Sequence, residues 1–325
     1  MFFLNKHSKF YKKQSAFRIQ INRWYNESVT VAWEVIEIEA RLYDKLDKLR
    51  VRCNVCNHRC IIDNGSRGTC GVRENQDGIL VAMNYGRTSA LRIDPIEKKP
   101  LYHFMPNTWT YSLCTVGCNM HCEWCQNASI SQQSKPNRQI LGDYITPEVH
   151  VKNALRLNCP SISFTYTEPT IFFEYAFDIM RLAKEHDLNT VWVTNGYMSN
   201  EVLDEILPLL DAANVDYKGS EQRIYETYCG GTSQPILNNI RRMVDAGVHV
   251  EVTTLIVPGV NDESAQLRQI ATDIAAIDPA IPWHISRFFP AHHMKDTPKT
   301  PYETLRLAER FGREAGLETI HLGNV

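Results

Sequence analysis

The chain has 325 residues, 43% of them apolar and 10% aromatic, which suits one large α/β domain with a small appendage and excludes wholesale disorder. A formal net charge of −2 argues against a dedicated nucleic-acid binder, and no run approaches the ~18 consecutive apolar residues of a transmembrane helix, so no membrane contact is expected. The 10 cysteines are clustered and follow no evident secretory signal, which favours metal binding in a reducing cytoplasm over disulfides.

Between Met1 and Asn26 the basic residues Lys6, Lys9, Lys12, Lys13, Arg18 and Arg23 meet no acid. A transit peptide has this acid-poor character, but the reading taken here is a solvated tail with no function placed on it. Residues 1–50 are read as this tail followed by a helix over Val35–Arg50, whose mixed charges suit a solvated face.

Residues 51–100 read as a small cysteine-rich module. Cys53-x2-Cys56-x3-Cys60-x9-Cys70 brings four thiolates close enough to close a coordination shell, so this site is expected to be structural or electron-transferring rather than catalytic. Zinc and an auxiliary 4Fe–4S cluster both fit the spacing, and His58 could replace a cysteine in a zinc site. A Gly-rich segment with little core of its own inclines the reading toward zinc, whose binding supplies folding energy.

From residue 101 to 325 short apolar strands alternate with amphipathic helices. The predicted strands are Thr110–Cys114, Ser161–Tyr166, Thr190–Thr194, Ala213–Tyr217, His249–Val257, Pro282–Arg287 and Thr319–Leu322. Helices are predicted over Pro147–Asn158, Thr170–His186, Glu201–Leu209, Gln234–Ala246, Glu263–Ile277 and Tyr302–Ala315. Each is long enough to join parallel neighbours, so the fold class is α/β, a full or partial TIM-like (β/α) barrel. Barrels of this kind place their chemistry at the C-terminal ends of the strands.

The first of those ends carries Cys118-Asn-Met-His-Cys122-Glu-Trp-Cys125. Three thiolates can hold three irons of a 4Fe–4S cluster and leave the fourth iron open, whereas a structural cluster normally takes four cysteines. A zinc site would need a fourth ligand, which His121 or Cys114 could supply; the open iron–sulfur reading is preferred. Later strand ends carry Glu168, Asn195 and the pair Asp216 and Lys218, and the sixth strand carries His284. Asp216 and Lys218 share a strand face and read either as a structural ion pair or as ligand contacts. Glu168 reads as a helix N-cap that could also accept from a ligand amine. Cys114, Cys159 and Cys229 default to small buried apolar residues.

The three-cysteine spacing, with Trp124 before its last cysteine, resembles the signature of the radical S-adenosylmethionine (SAM) superfamily. From about Val51 to Val325 the chain resembles the radical SAM enzymes of the AmmeMemoRadiSam system, relatives of pyruvate formate-lyase activating enzymes. The segments that carry the likeness are the four-cysteine module, Asp94-Pro-Ile-Glu-Lys-Lys-Pro-Leu-Tyr-His-Phe104, Gly117-Cys-Asn119 and Cys125-Gln-Asn127. Tyr166-Thr-Glu-Pro169, Val193-Thr-Asn-Gly196, Asn214-Val-Asp-Tyr-Lys-Gly219, Pro258-Gly-Val-Asn-Asp262 and Pro282-Trp-His284 continue it.

The resemblance implies that Cys118, Cys122 and Cys125 hold a 4Fe–4S cluster whose open iron is chelated by SAM. It places Trp124 near the adenine and Glu168, Asn195, Asp216, Lys218 and His284 around SAM or its ribose. It further implies an oxidoreductase-like enzyme with a flavodoxin- or ferredoxin-type donor and with Memo-like and AMMECR-type partners. Such relatives continue past Gly323-Asn-Val325 into a cysteine pair absent here, which reads as a truncated chain. The alternatives are an activating enzyme of a glycyl-radical enzyme and a non-catalytic iron–sulfur or zinc carrier or interaction module.

Overall fold

The computed structural model describes residues 38–135 and 139–325; the basic tail lies outside them. Ile38–Glu39 (β1), Tyr43–Lys45 (β2), Val51–Cys53 (β3), Ile61–Ile62 (β4), Arg73–Gln76 (β5) and Ile79–Ala82 (β6) form two small antiparallel sheets, in the orders β1-β6-β5 and β2-β3-β4. No α-helix occupies the described part of Val35–Arg50, which holds only a 3-10 turn, Asp47–Leu49. The Ala40 N–H bonds to the Leu80 carbonyl at 2.7 Å, so the backbone there pairs with a neighbouring strand. Lys48 and Leu49 take φ of 59° and 56°, outside the right-handed helical region. The mixed charges of this stretch fit an exposed strand edge as well as they fit a helix face.

Arg87–Thr88 (β7) is followed by Ala90–Pro95 (β8) and Trp109–Cys114 (β9), and Asp143–Tyr144 (β10) returns to pair with β7. The remaining strands are Ser161–Phe164 (β11), Asn189–Thr194 (β12), Ala212–Asp216 (β13), His249–Ile256 (β14), Trp283–Arg287 (β15) and Ile320–Gly323 (β16). The main sheet has the order β16-β15-β14-β13-β12-β11-β9-β8. All neighbours in it are parallel except β8, which runs antiparallel to β9 at one edge. The barrel is therefore partial, with β8 and β16 as its edges.

The parallel strands form where apolar and β-branched residues cluster, as in Thr190-Val-Trp-Val-Thr194, which is how a strand covered on both faces reads. Crossover helices begin where the backbone is supplied with caps. Ser199 Oγ accepts from the Val202 N–H at 3.2 Å at the start of Asn200–Ile206, and Pro147 and Pro235 sit in first turns, where a missing N–H costs nothing. In Gln234–Asp245 the buried residues Ile236, Asn239, Ile240 and Met243 recur at the three-to-four spacing of one helix face. No helix among the described residues is long and apolar enough to cross a membrane.

The stretch between β8 and β9 lies along the inner face of the sheet. Asn214 donates to the Pro100 carbonyl at 2.8 Å, and Glu251 accepts from the Tyr102 and His103 N–H groups at 3.1 and 2.8 Å. The described residues form one compact unit, and Val51, Cys53, Val55, Ile62, Cys70 and Val72 belong to the same apolar core as the barrel strands.

The cysteine-rich segment is clamped to the barrel by a buried ion pair. Arg73 on β5 donates twice to Glu174 on the helix Phe173–Lys184, at 2.9 and 2.5 Å, and both side chains are nearly inaccessible. Burial pushes the Glu174 carboxyl up, but Arg73 outweighs it and holds the group below its ordinary value. Glu174→Gln strands a buried guanidinium and should cost roughly 3–5 kcal/mol, whereas Arg73→Met with Glu174→Leu should cost much less. Denaturant unfolding of the two variants measures the difference, and equal losses would show that the charges do not act as a pair.

Candidate functional site

Cys118, Cys122 and Cys125 lie on the loop that leaves the C-terminal end of β9, and all three are partly buried. Backbone geometry aims donors at two of the sulfurs: the Met120 N–H reaches Cys118 Sγ at 3.3 Å, and the Asn127 N–H serves Cys125. Burial, then the nearby Glu168 and Cys122, push the Cys118 thiol strongly upward. Burial raises Cys125 as well. Asn119 Nδ2 is buried beside this loop without a hydrogen-bond partner.

The other strand ends converge on this loop. Glu168 follows β11 and caps the turn Pro169–Phe172. One oxygen accepts from the Thr170 N–H, Thr170 Oγ1 and Thr194 Oγ1 at 3.1, 2.6 and 2.7 Å, and the other accepts from the Asn195 N–H at 2.7 Å. Burial raises its carboxyl in spite of these donors. Asn195 follows β12 and gives its Nδ2–H to Asn119 Oδ1 at 2.7 Å, with Cys118 Sγ at 3.9 Å. Asp216 ends β13 and Lys218 follows it, 3.0 Å apart, the carboxylate 42% exposed and the ammonium 12%. Burial works against the Lys218 charge, but Asp216, Cys122 and Cys229 outweigh it. Trp124 is buried with its ring 6.1 Å from that of Tyr228.

Cys229 belongs to this site, which its sequence position did not announce. It ends a π-helical turn, Tyr225–Cys229, of the kind that recurs at functional sites. The carbonyls of Cys229 and Tyr228 accept from the N–H groups of His121 and Glu123 at 2.9 and 3.0 Å. The turn is thereby stitched to the cysteine loop. The neighbouring Cys229 thiol draws Cys122 below the ordinary thiol value against the effect of burial. Gly230 closes the turn at φ +75°, and a Cβ there would lie 2.1 Å from the His121 ring. Only the Gly230-Gly231 pair after Cys229 hinted at this approach in the sequence.

His284 lies level with Asp216, across β14. Its Nε2 hydrogen-bonds Glu251 at 2.5 Å, and its ring stacks on His321 at 5.0 Å. Cys114 turns away, its sulfur 3.4 Å from Ser89 Oγ.

The donor set suits an iron–sulfur cluster. Three soft thiolates on one loop, two with backbone N–H groups aimed at sulfur, match cluster ligation.

The Glu251 group generates a pH prediction. Burial alone would raise its carboxyl, but His249, His284 and the His103 and Tyr102 N–H groups hold it at about 2, against 4.5 for a free glutamate. The unfolded chain then binds more protons than the native one between those values. The stability this group contributes is complete above about 4.5 and is lost as pH falls toward about 2. Melting curves across that window should show a steeper decline for the wild type than for Glu251→Gln, and parallel curves would contradict the assignment.

The Radical SAM superfamily sequence pattern matches residues 112–269. Over 288 residues the chain is 44% identical to the uncharacterized protein MJ0808 of Methanocaldococcus jannaschii, covering 88% of this chain and 85% of that one. It is 25% identical over 167 residues to the pyruvate formate-lyase-activating enzyme of Clostridium pasteurianum, covering 50% of this chain and 67% of that one. Among solved structures, a radical SAM methyltransferase from Sphaerobacter thermophilus shares the fold with a TM-score of 0.51 at 16% identity, over 68% of each chain. With that superfamily's pattern across the loop and strands that build the site, residues 112–269 form a radical SAM domain.

Proposed function

We propose that the protein cleaves S-adenosylmethionine reductively at a 4Fe–4S cluster held by Cys118, Cys122 and Cys125, to abstract hydrogen from a substrate. The observation that carries this reading is the convergence of two further strand ends on the three-cysteine loop. Asn195 gives its Nδ2–H to Asn119 of that loop at 2.7 Å, 3.9 Å from Cys118 Sγ, and its backbone N–H to the buried Glu168 carboxylate at 2.7 Å. Soft thiolates suit irons, and the carboxylate suits an ammonium.

When bound, the cluster and SAM supply the hard chemistry: one electron into the sulfonium breaks its C5′–S bond, giving methionine and a 5′-deoxyadenosyl radical. The chain's own residues hold and shield these groups. Glu168 keeps one oxygen with a single protein donor and would accept the SAM ammonium there. Asn195 braces the cysteine loop through Asn119, and Trp124 offers a buried ring for the adenine. Asp216 and Lys218 face the Cys122 side of the site. His284, bonded to Glu251 and level with Asp216 across β14, would line the inner wall of the same site.

Activation of a glycyl-radical enzyme is the narrower alternative, favoured by the likeness to the Clostridium pasteurianum activating enzyme. A flavodoxin- or ferredoxin-type donor fits both. Membership in the AmmeMemoRadiSam system, with Memo-like and AMMECR-type partners, rests on the sequence segments alone.

Anaerobic reconstitution with iron, sulfide, dithionite and SAM should yield 5′-deoxyadenosine. Cys122→Ala should abolish it, and sustained production by that variant would sink the ligand assignment.

Asp216→Asn with Lys218→Met removes the ion pair without leaving one charge behind. The double variant should keep its melting temperature and iron content while SAM affinity falls by at least about tenfold, ~1.4 kcal/mol. Unchanged SAM binding would make the pair purely structural.

A further inference from the structure

An aromatic residue holds a left-handed backbone just before Glu168. Tyr166 leaves the end of β11 with φ of 65°, in the small region that bulky side chains rarely enter. A conformation of this kind is strained and persists where the surroundings over-determine it. The chain is bonded on both sides of the strain. The Tyr166 carbonyl accepts from Asn127 Nδ2 at 2.7 Å, two residues past Cys125, and Thr167 Oγ1 donates to the Thr115 carbonyl at 2.8 Å. The left-handed residue therefore meets the cysteine loop and sets the direction in which the chain carries on to Glu168.

The side chain of Tyr166 is held at its far end. Its hydroxyl donates to Asp94 near the end of β8, and Lys99 Nζ lies 4.4 Å from the centre of its ring. Asp94 also accepts from Lys98 and Lys99 at 2.8 and 2.7 Å, and both Asp94 and Lys99 are buried. Burial would raise the Asp94 carboxyl, but the two lysines and Tyr166 hold it at about 2. The acceptor of the Tyr166 hydroxyl thus stays ionised near neutral pH, and a hydrogen bond to a charged acceptor is among the stronger ones.

We propose that Asp94 and Lys99 clamp Tyr166 in its left-handed conformation before SAM arrives, so that Glu168 and the Asn127 end of the cysteine loop are already set to receive it. Tyr166 is in this sense a positioning residue, and the clamp rests on the reading that this site binds SAM. With the clamp, the strain is met on folding. Without it, the free chain relaxes to negative φ, and SAM has to restore the left-handed turn out of its own binding energy. Phenylalanine keeps the ring but loses the bond to Asp94. Glycine loses the ring but enters the left-handed region freely. The two substitutions therefore separate a clamp on φ from simple packing.

The test measures SAM affinity by equilibrium dialysis of the full chain, reconstituted anaerobically with iron and sulfide and kept free of reductant, so that no cleavage intervenes. Tyr166→Phe should bind SAM about tenfold more weakly than the wild type at the same iron content, the scale of one strained residue. Tyr166→Gly should recover most of that loss. Should Tyr166→Gly fail to fold, Tyr166→Asn takes its place with the same order expected, since asparagine tolerates this φ. Tighter binding by Tyr166→Phe than by the glycine or asparagine variant would mean packing and overturn the clamp. Equal affinity in the wild type and every variant would overturn it as well, while leaving SAM binding intact. A wild type that holds iron and binds no SAM would overturn the SAM reading and the clamp together.

Discussion

Burying thiols that must ionise is the constraint on which the rest of the site depends. Cys118 lies where burial and the Glu168 carboxylate both oppose a negative charge. A surface loop would have avoided that cost, but it would also have admitted water and oxygen to the chemistry. The structure keeps the loop half-buried and brings compensation from the loop itself and from one neighbouring strand end. The Met120 N–H points at the Cys118 sulfur, and the segment after β13 sets the Lys218 ammonium beside Cys122 and Cys229. The barrel strand β13 is thus part of what makes the loop tolerable.

That dependence explains which parts of the site were legible in the sequence. The three-cysteine spacing is local, and the strands that position it are short apolar runs between amphipathic helices, so both could be read directly. Glu168 could be placed because a carboxylate before Pro169 marks a helical start. Cys229 could not: its bearing on Cys122 exists only once the π-helical turn folds back, through two hydrogen bonds to residues more than a hundred positions earlier. His284 stands level with Asp216 across β14. Its hydrogen-bond partner, Glu251, lies on the neighbouring strand β14, and cross-strand pairing leaves no mark in a single segment.

The fold shows the same division. The alternation of β and α elements announced parallel strands, but it said nothing of β8, which joins the main sheet antiparallel from within the supposed cysteine-rich module. The stretch before β2 was misread because two or three strand residues have no period to detect. Its backbone hydrogen bonds are satisfied by β6, some forty residues away.

An open sheet has to account for its inner face. In closed barrels that face is packed with branched apolar side chains; here Asn214, Asp216, Glu251, Thr253, His284 and His321 occupy neighbouring strands in register. Polar groups are tolerated in such a place only when they are paired. The stretch between β8 and β9 provides much of the pairing. It supplies the Pro100 carbonyl to Asn214, two N–H groups to Glu251, and the His103 ring to His321 at 2.9 Å. Lys99 on the same stretch pairs with Asp94 at 2.7 Å and lies over the Tyr166 ring, which links the inner face to the residues just before Glu168. The segment that covers the polar wall is therefore also tied to the mouth, and Asp94 through Phe104 is held at both ends by the residues it serves.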